Sequence, residues 1–314
     1  MNTLIVITGP TAVGKTELCL GIAEQFGIPI INADSRQIFR DMRIGTAAPT
    51  CEQLQRARHY FVGKLNLGDY YNASMFEQDV LNVLGKEFSG REDHIALMTG
   101  GSMMYIDAVC NGIDDIPTIH DDVRQWMKQR LEDEGLERLC EELRLMDPEY
   151  YKTVDRCNTR RVVHALEICH QTGNTFTSYR VRERKHRPFG IVKIALNRNR
   201  EILYDRINRR VDSMIADGLE DEVRRLEPYR HENALNTVGY KEIFDYLDGR
   251  WSLDEAIERI KGNTRRYARK QLTWFKRDPQ VKWFEADDNK EIMTYILQEW
   301  SRIQKTVKPA EANI

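Results

Sequence analysis

Near the start of the chain stand Gly9, Pro10, Thr11, Ala12, Val13, Gly14, Lys15 and Thr16, the pattern G-x-x-x-x-G-K-T. Glycines let such a loop curl until successive N–H groups point inward at anionic oxygens, and a following helix adds the positive end of its dipole. Lys15 supplies a point charge for outer phosphates, and the Thr16 hydroxyl can reach Mg²⁺. The chemistry is phosphate binding, of a nucleotide such as ATP or of another phosphate ester. Two further polar sets follow apolar runs. Asp34, Ser35, Arg36 and Gln37 come after residues 28–32, and Gly100, Gly101 and Ser102 come after residues 94–98. Phosphate-loop enzymes that hydrolyse nucleotides carry an acid at the end of an apolar strand to help hold Mg²⁺. The run ending at Met98 has none. Asp34 is the acid available, either as a metal ligand or as a general base facing the phosphates.

These residues need elements to hold them. Residues 4–7 form an apolar run before the glycine loop, and Leu18, Ile22 and Phe26 share one face of the helix expected after it. Residues 28–32, 59–62 and 94–98 read as further strands, with helices expected over 50–57, 72–88 and from 103 onward. Strands alternating with helices predict an α/β fold with a parallel, doubly wound sheet. Ligands in such sheets lie beyond the carboxyl ends of the strands, so the three polar loops should converge.

The pattern changes after Gly112. A charged helical run over 120–146, with Val123, Met127 and Leu131 in apolar spacing, is broken at Asp147-Pro148, and a second helix covers 159–168. The sheet pattern returns at 189–196. Residues 119–186 therefore read as a helical insertion in a core made of 1–118 and 187–314. The rest of the core is helical apart from a strand-like 281–284, and the tail 306–314 is expected to fray.

The chain has 314 residues, 41% of them hydrophobic, enough for a full core. Its net charge of −2 does not mark a nucleic-acid binder, so that property must rest on local patches. Six cysteines without metal spacing read as buried thiols in a reducing compartment. Neither a signal peptide nor a membrane-spanning run is visible. A soluble cytoplasmic protein, working as a monomer, is the expectation.

Six blocks occur in order: Gly-Pro-Thr-Ala-Val-Gly-Lys-Thr, Asp-Ser-Arg-Gln-Ile-Phe, Ile-Gly-Thr-Ala-Ala-Pro, Gly-Gly-Ser-Met-Met-Tyr, Val-Gly-Tyr-Lys-Glu and Arg-Lys-Gln-Leu-Thr-Trp-Phe-Lys. Together they closely resemble the bacterial tRNA dimethylallyltransferases over about residues 4 to 285. The resemblance implies a P-loop core with a tRNA-binding insertion. It implies transfer of a dimethylallyl group from dimethylallyl diphosphate, with Mg²⁺, to the exocyclic amine of the adenosine 3′ of the anticodon in tRNA. The anticodon stem-loop is then the partner. Asp34 would be the base; Lys15 and Thr16 would act on the diphosphate, with Arg206 and Arg210 closing over it, unless those two arginines make surface ion pairs instead. Ser102 stands where the family usually has threonine and is a substrate contact. Ser35, Arg36, Gln37, Arg124, Gly239 and Lys241 would meet tRNA, as would Arg160, Arg161, Val162, Val163 and His164, the last standing where arginine is common.

Two acid-poor runs carry the nucleic-acid expectation. Arg156, Arg160, Arg161, Arg180, Arg182, Arg184, Lys185 and Arg187 face Glu167 and Glu183 alone within their span. Lys261, Arg265, Arg266, Arg269, Lys270, Lys276 and Arg277 have no acid among them and are interleaved with Tyr267, Trp274 and Phe275. Two other readings stay open on the residues. One is a small-molecule kinase using ATP, against which the missing acid counts. The other is a non-catalytic, nucleotide-switched RNA binder, against which Asp34 counts.

Overall fold

The computed structural model describes residues 1–181 and 183–307. Arg182 and the last seven residues of the tail, 308–314, lie outside them. The chain divides into two compact units, Met1–Cys110 with Arg187–Ile314, and Asn111–His186.

The first unit is a six-stranded, wholly parallel sheet between helices. In chain order it contains β1 (Thr3–Thr8), α1 (Lys15–Phe26), β2 (Ile30–Asn32), α2 (Cys51–Arg56), β3 (His59–Tyr60), α3 (Ala73–Glu87), β4 (Ile95–Thr99) and α4 (Met103–Asn111). In the second unit lie α5 (Asp121–Met146), α6 (Pro148–Thr153) and α7 (Thr159–Thr172). The first unit resumes with β5 (Gly190–Asn197), α8 (Arg200–Ala216), α9 (Leu219–Arg225), α10 (Tyr240–Leu247), α11 (Leu253–Phe275), β6 (Lys282–Glu285) and α12 (Asn289–Val307). The strand order is β3-β2-β4-β1-β5-β6. As the sequence pattern predicts, the sheet is parallel, and β6 extends its edge.

The central strand β1 is buried over its whole length. Side chains alternate across a strand, so Leu4 and Val6 enter one apolar layer while Ile5 and Ile7 enter the other. Phe76, Val80 and Leu84 of α3 and Ile260 of α11 complete the first layer. Leu18 and Ile22 of α1, Ile207 of α8 and Ile292 of α12 complete the second. Burial on both faces is why β1 reads as a continuous apolar run.

The second unit has its own core, in which Met127, Leu139, Leu143, Val162 and Leu166 are fully buried. It starts at Asn111, ahead of residue 119: Ile116 packs against that core and Lys185 N–H donates to the Asn111 carbonyl. The long helix is kinked at Gly135, whose φ of 78° and ψ of 167° are not helical. Asp147-Pro148 ends that helix but also opens the next. Asp147 Oδ1 accepts from Tyr150 N at 2.9 Å, and Pro148 takes the first helical position, where no N–H is needed.

Of the six cysteines, Cys51 and Cys157 are exposed and not buried, since each sits at or before a surface helix start. Among the described residues no helix is long and apolar enough to cross a membrane.

Arg187 departs from the expected basic surface. It is buried where the chain re-enters the first unit. Its guanidinium donates to Glu77 Oε1 at 2.6 Å, to the Ala108 carbonyl at 2.7 Å and to the Val109 carbonyl at 2.8 Å. Those carbonyls belong to the last turn of α4, which has no intrahelical donors for them. Removing one partner of a buried pair strands the other charge, a loss of about 3–5 kcal/mol. Arg187→Met should therefore lower the urea midpoint sharply, and adding Glu77→Leu should recover part of the loss. A single mutant with the wild-type midpoint would mean that the pair is not holding α4.

Candidate active site and phosphate cradle

The three polar loops converge. A cleft of about 820 Å³ is lined by Thr11, Ala12, Gly14, Lys15 and Thr16 after β1, by Asp34, Ser35, Arg36 and Gln37 after β2, and by Gly100, Gly101 and Ser102 after β4. The cradle bends through positive φ at Gly9, Ala12 and Gly14. A Cβ at Gly9 would lie 2.8 Å from the Leu196 carbonyl oxygen on β5, so this position has no room for a side chain. Gly9, Pro10 and Val13 frame the loop from its buried side.

Lys15 is the first residue of α1. Its ammonium donates to the Gly9 and Pro10 carbonyls, each at 2.9 Å, which holds it over the loop. Burial, then the neighbouring Arg210, push its pKa down to about 8, while Cys19 and Asp34 pull it back up. On α8, Arg206 Nε donates to the Ala12 carbonyl at 2.8 Å and Arg210 Nη2 to the Thr46 carbonyl at 3.2 Å. Neither makes an ion pair among the described residues, and both line the cleft, which sets aside the surface-pair alternative.

Across the cleft, Asp34 Oδ1 accepts from the N–H groups of Arg36, at 2.8 Å, and Gln37, at 3.2 Å. This fixes one carboxylate oxygen to its own loop and leaves the other for a ligand. Ser102 is buried. Its hydroxyl accepts from Ser35 N at 2.8 Å and donates to Ser35 Oγ at 3.0 Å, so it pins the acid's loop. Gln37 uses its amide on the Thr46 and Ala47 carbonyls, at 3.0 and 3.1 Å, and on Asn32. In this structure it is a strut for the turn beside it.

Sequence reasoning missed three residues here. Glu222 is buried, and its carboxylate accepts from the N–H groups of Arg43, Ile44 and Gly45 and from the Tyr240 hydroxyl, the last at 2.6 Å. It anchors the turn that presents Thr46 to Arg210. Gln271, inside the last motif block, bonds to Thr11 and Gly101. Tyr267 lines the cleft and donates to the Gly101 carbonyl at 3.3 Å; burial first, then Asp34, push its pKa up to about 12, so it stays a neutral donor.

Gly239, Lys241 and Lys270 line the same cleft, whereas Arg269 and Lys276 are exposed outside it. Trp274 donates to Asp107 and Phe275 is buried, so these aromatic rings belong to the core. The second basic run is less naked than its sequence, because Lys261 pairs with Asp212 of α8 at 2.8 Å. In the second unit, Arg160, Arg161 and His164 are exposed on α7, with His164 beside Glu167, and Arg124 is half-buried on α5. Val162 must be corrected: its side chain is wholly buried in that unit's core and has no surface for a ligand. Val163 packs against the same core.

Mg²⁺ takes oxygen ligands and retains several waters, binding through few protein groups together with phosphates. The exposed Thr16 hydroxyl at the cradle fits that role, and the described residues hold no group of three or more His, Cys, Asp or Glu that would form an all-protein cage. Lys15 must be charged to hold phosphates, so affinity for Mg²⁺-diphosphate should fall as pH rises through about 8. Titration calorimetry should show this fall in the wild type and a flatter profile in Lys15→Met; equal slopes would dismiss Lys15 as its source.

A family model described as IPP transferase matches residues 37–278. A relative from Phocaeicola vulgatus named tRNA dimethylallyltransferase 1 is 61% identical over 295 residues, 94% of this chain and 98% of its own. One from Christiangramia forsetii named tRNA dimethylallyltransferase is 47% identical, covering 94% of this chain and 97% of its own. The solved tRNA isopentenylpyrophosphate transferase of Bacillus halodurans is 34% identical with a TM-score of 0.70, covering 97% of this chain and 98% of that one. A eukaryotic dimethylallyltransferase structure shares the fold at a TM-score of 0.78 and 24% identity, covering 100% of this chain and 82% of its own. The resemblance carried by the six motif blocks therefore holds along nearly the whole length. The chain belongs to the IPP transferase family.

Proposed function

We infer that this protein transfers a dimethylallyl group from dimethylallyl diphosphate to the exocyclic amine of the adenosine 3′ of the anticodon in tRNA. Beside the family membership, one observation carries the reading: Asp34 faces a phosphate cradle in a cleft whose third loop, after β4, offers no acid. The amine lone pair forms the new C–N bond as the allylic C–O bond breaks, and that bonding pair leaves with diphosphate. Lys15, Arg206 and Arg210, which line the cleft beside the loop, would meet this growing negative charge together with the loop's uncommitted N–H groups. Mg²⁺, which the Thr16 hydroxyl would help to hold, would supply further positive charge. The amine proton passes to the Asp34 carboxylate. An adenine amine is a poor nucleophile because its lone pair is delocalised into the ring, so orientation by a carboxylate matters. The base must leave its stack to reach the cleft, where Ser35 and Arg36 are placed to meet it.

The exposed Arg160, Arg161 and His164, with Arg124, Arg269, Lys270, Lys276, Gly239 and Lys241, are proposed tRNA contacts. A monomer is the proposed working state. The exposed thiols of Cys51 and Cys157 suit a reducing, cytoplasmic setting. ATP can occupy the cradle through its phosphates, but β4 offers no second acid for phosphoryl transfer, which weighs against a kinase. The direct test incubates the protein with labelled dimethylallyl diphosphate and unmodified tRNA and locates the label by digestion. Steady ATP turnover on a small acceptor with no label in RNA would instead favour the kinase.

The role of Asp34 is decided by Asp34→Asn in single-turnover transfer across a Mg²⁺ series. The transfer step should slow by about 10²–10⁴ at every Mg²⁺ concentration, with donor binding intact. Rescue by added Mg²⁺ would assign Asp34 to the ion. For the acceptor, neutralising Arg160 with Arg161, or Arg269 with Lys270, should weaken tRNA binding and spare diphosphate binding. Each lost phosphate contact should flatten the log–log salt dependence by roughly 0.7–0.9. An unchanged slope would leave that patch a solvated face.

A further inference from the structure

We propose that Gln271 is a positioning residue for the transfer, a single amide that sets the separation between the phosphate cradle and the general base; the proposal rests on the prenyl transfer inferred above. Gln271 lies on α11 with 1% of its surface exposed, although the adjacent Lys270 faces solvent. Its Oε1 accepts the Thr11 N–H at 2.9 Å, and its Nε2 donates to the Gly101 carbonyl at 2.8 Å. The partners dictate the orientation of the amide, since a backbone N–H can only donate and a backbone carbonyl can only accept.

The bridge continues on both sides. Thr11 is part of the cradle that Lys15 and Arg206 also hold. Gly101 precedes Ser102, whose hydroxyl is tied to Ser35, the neighbour of Asp34. Thr11, Gln271, Gly101, Ser102, Ser35 and Asp34 thus form one run of covalent and hydrogen bonds from the leaving-group side of the cleft to the base. Gly101 is shaped to this bridge, because a Cβ there would lie 2.4 Å from Gln271 Nε2. Glutamate could accept from Thr11 but would set an acceptor against the Gly101 carbonyl; methionine would match the length and make neither bond. The Thr11 N–H is taken by Gln271 and the Val13 N–H by the Pro10 carbonyl at 3.3 Å, so phosphate oxygens are left to the other N–H groups of the loop.

Reacting atoms must be brought to within about 3–3.5 Å, and a misplacement of about 1 Å can cost about 10²-fold in rate. Gln271→Met should therefore slow single-turnover transfer by about 10²-fold. In the folded protein, diphosphate affinity with Mg²⁺ and tRNA affinity should stay near wild type, so the loss falls on kcat and not on donor KM. Gly101→Ala attacks the same bond from its other end and should give the same loss. In a Gln271→Ala background it should add little, because the obstructing amide is gone. Wild-type transfer by Gln271→Met would overturn the proposal. So would a rate that falls only with the folded fraction, or only with donor affinity, or full additivity of the two substitutions. If the wild type itself labels no tRNA, the prenyl-transfer reading fails, and this proposal with it, whatever the variants do.

Discussion

The site depends on two backbones meeting with nothing between them. Where the chain leaves β4, a Cβ at Gly100 would sit 2.2 Å from the Ala33 carbonyl oxygen. Ala33 N–H donates to the Thr99 carbonyl at 2.7 Å, and Ser102 N–H returns to the Ala33 carbonyl at 3.1 Å. The β2–β4 pairing is thereby extended beyond both strands into the loops, so that Asp34 and Ser102 belong to one rigid piece. A side chain at Gly100 would part that piece, and no rearrangement of flexible atoms could relieve the clash, since the obstacle is main chain. The strand order then brings in the cradle: β4 lies between β2 and β1, so the loop after β1 is the next neighbour. Sheet topology alone sets Asp34 and the glycine loop on the same edge.

Charge is local where composition is balanced. A chain of net charge −2 gathers Lys15, Arg206 and Arg210 around one cradle, with Asp34 as the facing acid. Burial first, then Arg210, hold the pKa of Lys15 down to about 8. Arg210 is itself disfavoured by burial and helped by Asp34. An anion with several negative oxygens would relieve both costs together. The same economy explains Glu222, a buried carboxylate that tolerates its position because four donors converge on it. Through it, α9 and Tyr240 hold the turn to which Arg210 reaches.

Local patterns made most of the fold legible. The continuous apolar run of β1, the glycine loop and the helical spacing of Leu18 and Ile22 are statements about neighbours in sequence, and the structure places all of them as read. The helical insertion is visible for the same reason, but its start at Asn111 is not, because Ile116 joins that core without any periodic signal. What escaped were partnerships across long separations. Gln271 meets Thr11 over 260 positions and Glu222 meets Gly45 over 177. A lone glutamine or glutamate on an amphipathic helix carries no mark of such a partner. Arg187 failed in the opposite direction. Among other arginines it looked like surface, yet the carbonyls of α4 and the carboxylate of Glu77 gave it a buried place. In the sequence Tyr267 is one aromatic among basic residues, and its place at the cleft depends on which face of α11 turns inward.

A cradle for a leaving group makes different demands on its surroundings from a cradle for a group to be transferred. When phosphorus is attacked, positive charge must surround the transferred phosphoryl, and acids that hold the metal crowd close to it. When carbon is attacked and diphosphate departs, the phosphates need only be bound more tightly as the C–O bond lengthens, and the acid is more useful near the incoming nucleophile. This cleft has the second layout. Its positive groups come from α1 and α8 on the cradle side, and Asp34 is anchored by its own loop's N–H groups at the end of β2, while β4 ends in Thr99 and two glycines. Gly100 gives the backbone contact with Ala33 that fixes the loop of Asp34, so the position after β4 that carries no acid also positions the proposed base.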